Sequence, residues 1–138
     1  MLDRLRSSKL GEFVDTGISL AVFRILVAAF MLFGHGWGKL MDVFSWNIQF
    51  GDPIGIGPTA SLILAAFAEG ICSLLIIAGF WTRFAASVLS INMFVAIFFY
   101  HIPNGDPLFG GYELAAVYLV SFMFLFLIGP GKYSVDSE

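Results

Sequence analysis

The sequence predicts an all-α, membrane-embedded protein, an up-down-up-down four-helix bundle that forms a single transmembrane domain over residues 1–138. Of the 138 residues, 59% are hydrophobic and 12% are charged, whereas a soluble domain carries about 25% charged residues. A soluble domain of this length has too much surface to hide so many apolar side chains. Four apolar stretches reach the length of about 20 residues that a helix needs to cross a bilayer. Short connections make neighbouring helices antiparallel.

The four spans are predicted at residues 17–41, 58–80, 82–100 and 111–128. Pro58 suits the first turn of the second helix, and Gly129-Pro130-Gly131 ends the fourth. Residues 43–57 are too short and too polar to span. Their mixture of aromatic and polar side chains predicts an interfacial segment or a short amphipathic helix.

The distribution of lysine and arginine predicts the orientation. Residues 43–57 and 101–110 contain neither type. The cations that set the topology lie before the first span, in the turn between the second and third spans (residues 79–83) and in the tail: Arg4, Arg6, Lys9, Arg83 and Lys132. Because such cations stay in the cytoplasm, both termini should be cytoplasmic and the two longer connections should face outward. The net charge of -3 gives no basic surface for nucleic acid.

Polar side chains within or beside the spans are the candidate functional residues. An ionisable group costs about 2.5 to 3.5 kcal/mol at the centre of a membrane helix, so it faces the bundle interior. At 100° per residue, Arg24, His35 and Lys39 share one face of the first span, which we expect to look into the bundle or a cavity. The complete set of candidate ligand-binding residues is Arg24, His35, Lys39, Glu69, Asn92, His101 and Glu113.

Depth in the membrane predicts which of these side chains meet. Arg24 and Glu69 should interact at the centre, where Asn92 joins them. Lys39 and Glu113 lie at similar heights. The outer end should therefore hold a cluster of four side chains: His35, Lys39, His101 and Glu113.

Each assignment has a structural alternative. Arg24 and Glu69 fit an ion pair that only fixes helix register. Lys39 can reach the headgroups, and Glu113 suits a solvated helix N-terminus. His35 lies deep in its span, beside a lysine that favours a neutral imidazole.

In the functional interpretation, the candidate groups for proton exchange or ligand hydrogen bonding are His35, Glu69 and Glu113. For His35 this role would be that of a quinone carbonyl ligand or a proton relay.

Small residues predict where helices approach one another. Gly34 and Gly38 form a GxxxG pair, and Ala66 and Gly70 repeat the spacing, which allows close backbone contact in lipid. The lone Cys72 cannot form an intramolecular disulfide or a CxxC pair. We expect no metal site, because the two histidines lack the Glu-x-x-His spacing of bundle metal centres.

An ordered set of motifs over nearly the whole chain resembles the DoxX family. The motifs are Arg24, Gly34-His35-Gly36-Trp37-Gly38-Lys39-Leu40, Ala68-Glu69-Gly70, residues 75–79, Thr82-Arg83, Glu113, and Gly129-Pro130-Gly131 with Ser134 and Asp136. The resemblance implies a small four-helix protein of the bacterial or archaeal cytoplasmic (inner) membrane. The family takes its name from a subunit associated with a thiosulfate:quinone oxidoreductase, and some members are linked to membrane oxidoreductase complexes and oxidative stress.

Three functions are consistent with these features. The first is a redox-associated subunit that binds quinone, quinol or a similar lipophilic ligand between its helices. Its pocket would be lined by aromatic side chains, a type of lining common in such sites: Phe33, Trp37, Phe94, Phe98 and Tyr118. The second is a non-catalytic scaffold or accessory subunit. The third is a small proton-coupled transporter, ranked last because the chain lacks inverted halves with broken helices. Expected partners are membrane lipids and either other redox subunits or further copies of the chain.

Overall fold

The computed structural model describes residues 2–6 and 15–137. In this part of the chain all regular structure is helical. A short helix α1 (Leu2–Arg6) precedes four helices long and apolar enough to cross a membrane. They are α2 (Thr16–Phe44), α3 (Pro58–Ala78), α4 (Thr82–His101) and α5 (Leu108–Ile128). The predicted all-α class with four membrane helices is confirmed. Lys9 and the side chain of Arg4, two of the predicted topology determinants, lie outside the described residues.

Local chemistry explains where the helices begin and end. The Asp15 carboxylate accepts a hydrogen bond of 2.7 Å from the Gly17 N–H and so caps the start of α2. Pro58 occupies the first turn of α3. Gly79 (φ 71°) ends α3 in the left-handed conformation that glycine adopts without strain. The segment after Phe44 forms turns and extended chain, so the short amphipathic helix considered for residues 43–57 does not form there.

The helix ends gather at two poles of the molecule. At one pole, which we call the terminal end, the tail runs along the turn between α3 and α4. The Val135 N–H donates to Ala78 O (3.3 Å), and the Asp136 N–H donates to Gly79 O (2.9 Å). The opposite pole, the loop end, carries the connections over residues 45–57 and 102–107. Sequential helices therefore run in opposite directions.

The packed core lies in the half of the bundle nearer the terminal end. Ala28, Met31, Cys72, Ile76 and Phe122 are fully buried there, and they come from α2, α3 and α5. In the loop-end half the bundle separates into two pairs. The outer part of α2, residues 37–44, packs on residues 58–66 of α3, while α4 packs mainly on α5.

A glycine joins α2 to α3 where the bundle begins to separate. A Cβ atom on Gly36 would overlap the backbone carbonyl of Glu69, so the two backbones touch at that point. The predicted GxxxG pair, Gly34 and Gly38, makes no such approach within the described chain, because a Cβ atom on either residue would face open space. The helix widens into a π-helical turn over Leu32–Gly36. Such a turn takes in an extra residue, which shifts the faces of the helix relative to a straight α-helix.

Candidate functional site

The separation of the helix pairs leaves a cleft of about 830 Å³ in the loop-end half of the molecule. Much of its wall is apolar, with Ala65, Ala68 and Val88 among the lining residues. Residues of the connection between Gln49 and Ile56 form its roof. The Asp52 carboxylate holds the roof to α3, since it accepts hydrogen bonds from the Ile56 N–H (2.9 Å) and the Ser61 hydroxyl (3.1 Å).

Three π-helical turns border the cleft, in α2, α3 and α4. They cover Leu32–Gly36, Phe67–Cys72 and Ala96–His101. At the start of α5 the backbone is kinked instead, with non-helical angles at Phe109 and Gly110. These four segments contribute five polar side chains to the cleft wall: His35, Glu69, Tyr100, His101 and Tyr112. A π-helical turn interrupts the regular hydrogen-bond ladder and is frequent at functional sites. The π-helical turns could not be predicted from the sequence, because a hydropathy pattern carries no signal for a single extra residue.

An ion pair between Lys39 and Glu69 connects α2 and α3 at the cleft. The Lys39 Nζ lies 3.0 Å from Glu69 Oε2, and the Glu69 side chain is only 6% exposed. Pairing offsets the cost of burying either charge. The predicted partners were wrong, because Glu69 meets Lys39 rather than Arg24, and Lys39 meets Glu69 rather than Glu113.

Arg24 lies at the terminal end and outside the cleft wall. Its guanidinium donates hydrogen bonds to three carbonyl oxygens, those of Pro130 (2.7 Å), Tyr133 (3.1 Å) and Ile77 (3.4 Å). Glu69 lies eight residues before Ile77 on α3, which places it about 12 Å nearer the loop end. Arg24 therefore fastens the tail to α2 and α3 and contributes nothing to the polar groups of the cleft.

His35 and Tyr118 approach each other across α2 and α5. Their rings lie 5.7 Å apart in an edge-to-face arrangement, and Tyr118 stacks on Phe122 at 5.9 Å. Among the described residues, the His35 ring has no hydrogen-bond partner. Asn92 is half-buried and lines the same cleft from α4. We call His35, Lys39, Glu69 and Asn92 the inner polar group.

His101 lies near the loop end of the cleft, where its Nδ1 is 2.8 Å from Asp106 Oδ2. Its ring lies 6.1 Å from that of Tyr112. We call His101, Asp106 and Tyr112 the rim. The predicted outer cluster is thus wrong for Glu113, which is exposed and outside the cleft wall. Asp106 was missed, although the turn residues between it and His101 indicate that the chain reverses there.

The aromatic lining also differs from the prediction. Tyr118 lines the cleft as predicted. The other four side chains face outward with 73, 53, 47 and 48% of their surface exposed, in the order Phe33, Trp37, Phe94 and Phe98. Outward aromatic rings are at no disadvantage when the surrounding solvent is lipid. The rings found in the wall besides Tyr118 are those of Phe50, Phe67, Tyr100 and Tyr112.

The tail is fastened at the terminal end by two carboxylates. The backbone N–H groups of Thr82 and Trp81 each donate to the Asp136 carboxylate at 2.9 Å, and these bonds hold the pKa of Asp136 below its ordinary value. Lys132 Nζ lies 2.6 Å from Asp15 Oδ2, and this bond lowers the pKa of Asp15 and raises that of Lys132. In the described part of the chain, no three His, Cys, Asp or Glu side chains are grouped to hold a metal ion.

Comparison with known proteins gives a family and two relatives. Residues 19–102 match the model of the DoxX family. A Haemophilus influenzae protein described as uncharacterized is 34% identical over 127 residues, which cover 86% of this chain and 89% of that protein. A second Haemophilus influenzae protein with the same description is 30% identical, covering 90% of this chain and 85% of its own length. No solved structure matches.

Proposed function

Because the chain belongs to the DoxX family and has the cleft described above between its helices, we propose that this multi-pass membrane protein binds a quinone or quinol there. Electrons would be exchanged with a partner redox subunit, so the chain acts as a redox-associated subunit of a membrane complex. The observation that carries the proposal is the cleft of about 830 Å³. Its volume falls within the range of about 300 to 1,000 Å³ that is typical of small-molecule sites.

The wall of the cleft suits a lipophilic ring. Apolar side chains dominate it, with Leu64 on α3 and Ile91 on α4 among the lining residues. Both side chains are also exposed, by 54% and 64% of their surface, so the cleft is open where they lie. A ligand dissolved in the bilayer can therefore reach the cleft from the side, between α3 and α4, without crossing water.

The inner polar group supplies the few directed contacts that such a ligand requires. A quinone carbonyl accepts hydrogen bonds, which the Lys39 ammonium and the Asn92 amide can donate. A quinol hydroxyl donates, and the Glu69 carboxylate accepts. Since Lys39 and Glu69 neutralise each other at 3.0 Å, the group favours a neutral ligand over an ion. His35 and Glu69 are the groups that we propose to exchange protons with it.

The orientation follows from the distribution of cations. Arg83 and Lys132 lie at the terminal end, whereas the connections at the loop end carry no lysine or arginine. By the positive-inside rule the terminal end faces the cytoplasm. We place the protein in the bacterial cytoplasmic membrane, with the cleft in the outer half of the bilayer.

Equilibrium binding of decylubiquinone to the purified protein in lipid nanodiscs tests the proposal. We expect saturable binding with one ligand per chain. The double variant Lys39→Met, Glu69→Gln removes both charges at similar side-chain volume, so that neither partner is left buried and unpaired. It should weaken binding about tenfold, the effect of losing one or two polar contacts.

The matched control is Glu113→Gln, which removes a carboxylate outside the cleft and should leave the affinity unchanged. Wild-type protein that binds neither decylubiquinone nor decylubiquinol above the level of empty nanodiscs would contradict the proposal. A binding constant that is equal in the double variant and the wild type would contradict the placement of the ligand. If His35→Ala and Glu69→Gln variants also supported the host pathway normally, the chain would be a scaffold subunit.

A further inference from the structure

At the rim of the cleft, the contact with Asp106 fixes which nitrogen of His101 donates a hydrogen bond and which accepts one. His101 Nδ1 lies 2.8 Å from Asp106 Oδ2, and an ionised carboxylate only accepts hydrogen bonds. Nδ1 must therefore carry the proton that is shared with Asp106. In a neutral imidazole with a protonated Nδ1, the other nitrogen, Nε2, is an acceptor.

The accepting nitrogen is available to a ligand. His101 belongs to the cleft wall, and its side chain is 26% exposed. Within the described residues Nε2 has no hydrogen-bond partner. The rings of Tyr100 and Tyr112 lie 5.2 Å and 6.1 Å from the imidazole. Neither tyrosine is hydrogen-bonded to the imidazole, so Asp106 alone sets which nitrogen is protonated.

We infer that the His101–Asp106 pair makes the cleft select the reduced, hydroxyl-bearing form of its ligand over the oxidised form. This inference rests on the proposed function and specifies the substrate class at that site. A quinol hydroxyl donates a hydrogen bond to Nε2, whereas a quinone carbonyl would place an acceptor against an acceptor. The same contact gives the hydroxyl proton a base: the O–H bond breaks, an Nε2–H bond forms, and Asp106 stabilises the resulting imidazolium.

The inference can be tested by comparing the two redox forms of one ligand. Dissociation constants of decylubiquinol, kept reduced under anaerobic conditions, and of decylubiquinone are measured on the protein in nanodiscs. The pH is held at about 8, above the range in which an ordinary imidazole takes up a proton. We expect the quinol to bind about tenfold more tightly, the effect of one matched against one mismatched hydrogen bond.

The variant Asp106→Asn provides a sharper test because it should reverse the tautomer. The asparagine amide can donate to Nδ1, which moves the proton to Nε2 and turns that nitrogen into a donor. The preference for quinol should disappear or reverse, while the total capacity for ligand stays the same. Glu113→Gln, a carboxylate-to-amide change outside the cleft, should keep the wild-type preference. Ring ¹⁵N shifts report the tautomer directly, and His35→Gln leaves His101 as the sole histidine to be assigned.

The outcomes separate the two claims. Tighter quinol binding that is lost in Asp106→Asn and kept in Glu113→Gln supports the inference. Equal binding of both forms, with no change in Asp106→Asn, overturns it but leaves the quinone site standing. A ¹⁵N spectrum with the proton on Nε2 in the wild type also overturns it. Failure of both forms to bind overturns the proposed function and the inference together.

Discussion

Replacement of Arg24 by methionine separates structural from ligand-binding roles for a cation that is buried in the bundle. Arg24 is 2% exposed and makes two short hydrogen bonds, of 2.7 Å and 3.1 Å, to carbonyls of the tail. Its third bond, of 3.4 Å to Ile77 O, is long and contributes little. A hydrogen bond to a charged group contributes about 1.5 to 3 kcal/mol in soluble proteins, but side-chain hydrogen bonds in a membrane protein average about 0.6 kcal/mol.

For the two short bonds together, these values give a loss in the free energy of unfolding of between about 1 and 6 kcal/mol. Methionine also removes the cost of burying the cation, so we expect Arg24→Met to lower the free energy of unfolding by about 2 to 3 kcal/mol. Titration with SDS in mixed micelles measures this change. Arg83→Met, the same substitution at an exposed site, should change it by less than about 0.5 kcal/mol. An Arg24→Met variant as stable as Arg83→Met would refute this reasoning.

Further predictions concern packing, pH and thiol reactivity. Gly36→Ala should lower the free energy of unfolding by about 1 to 3 kcal/mol, because its Cβ would overlap the Glu69 carbonyl. The control Gly34→Ala faces open space and should leave the SDS midpoint unchanged or slightly raised. Equal SDS midpoints for the two variants would contradict the close approach at Gly36. Hydrogen bonds to Asp136, chiefly from the Thr82 N–H, lower its pKa below the ordinary value of 3.8. This contribution to stability is fully present above that value and is lost as the pH falls through the lowered pKa. The melting temperature should therefore fall at acid pH less steeply in Asp136→Asn than in the wild type, and parallel curves would count against the tail contact. Cys72 is 0% exposed, so a maleimide should label it only after denaturation in SDS, and fast labelling of native protein would show that the core is not closed.

The sequence was sufficient to predict the four membrane helices. Their length and hydropathy are properties of each segment alone, and a segment of about 20 apolar residues crosses lipid as a helix. The polar stripe of the first span was predicted correctly in part. His35 and Lys39 both line the cleft, since helical periodicity places residues four apart on one side of a helix.

The partners of the charged residues could not be predicted in the same way. Arg24 is satisfied by the carbonyls of Pro130 and Tyr133, and every residue carries a carbonyl, so no residue type marks such a partner. A carboxylate at the same depth in the membrane was the partner expected for Arg24. The tail packs against Arg24 instead and provides backbone carbonyls as its partners. Periodicity places Gly34 and Gly36 on opposite sides of the helix. Composition does not reveal that the side of Gly36 is the one that meets α3.

Photolabelling with an azido-quinone identifies the residues that contact the bound ligand, and so tests whether a quinone site lies in the cleft. The protein is irradiated in nanodiscs with and without excess decylubiquinone, and the adducts are mapped by mass spectrometry. We expect adducts on cleft residues of α3 and α4, such as Leu64, Ala65 and Ala96, that disappear with the competitor. Adducts confined to outward residues such as Phe33, and undiminished by the competitor, would contradict it.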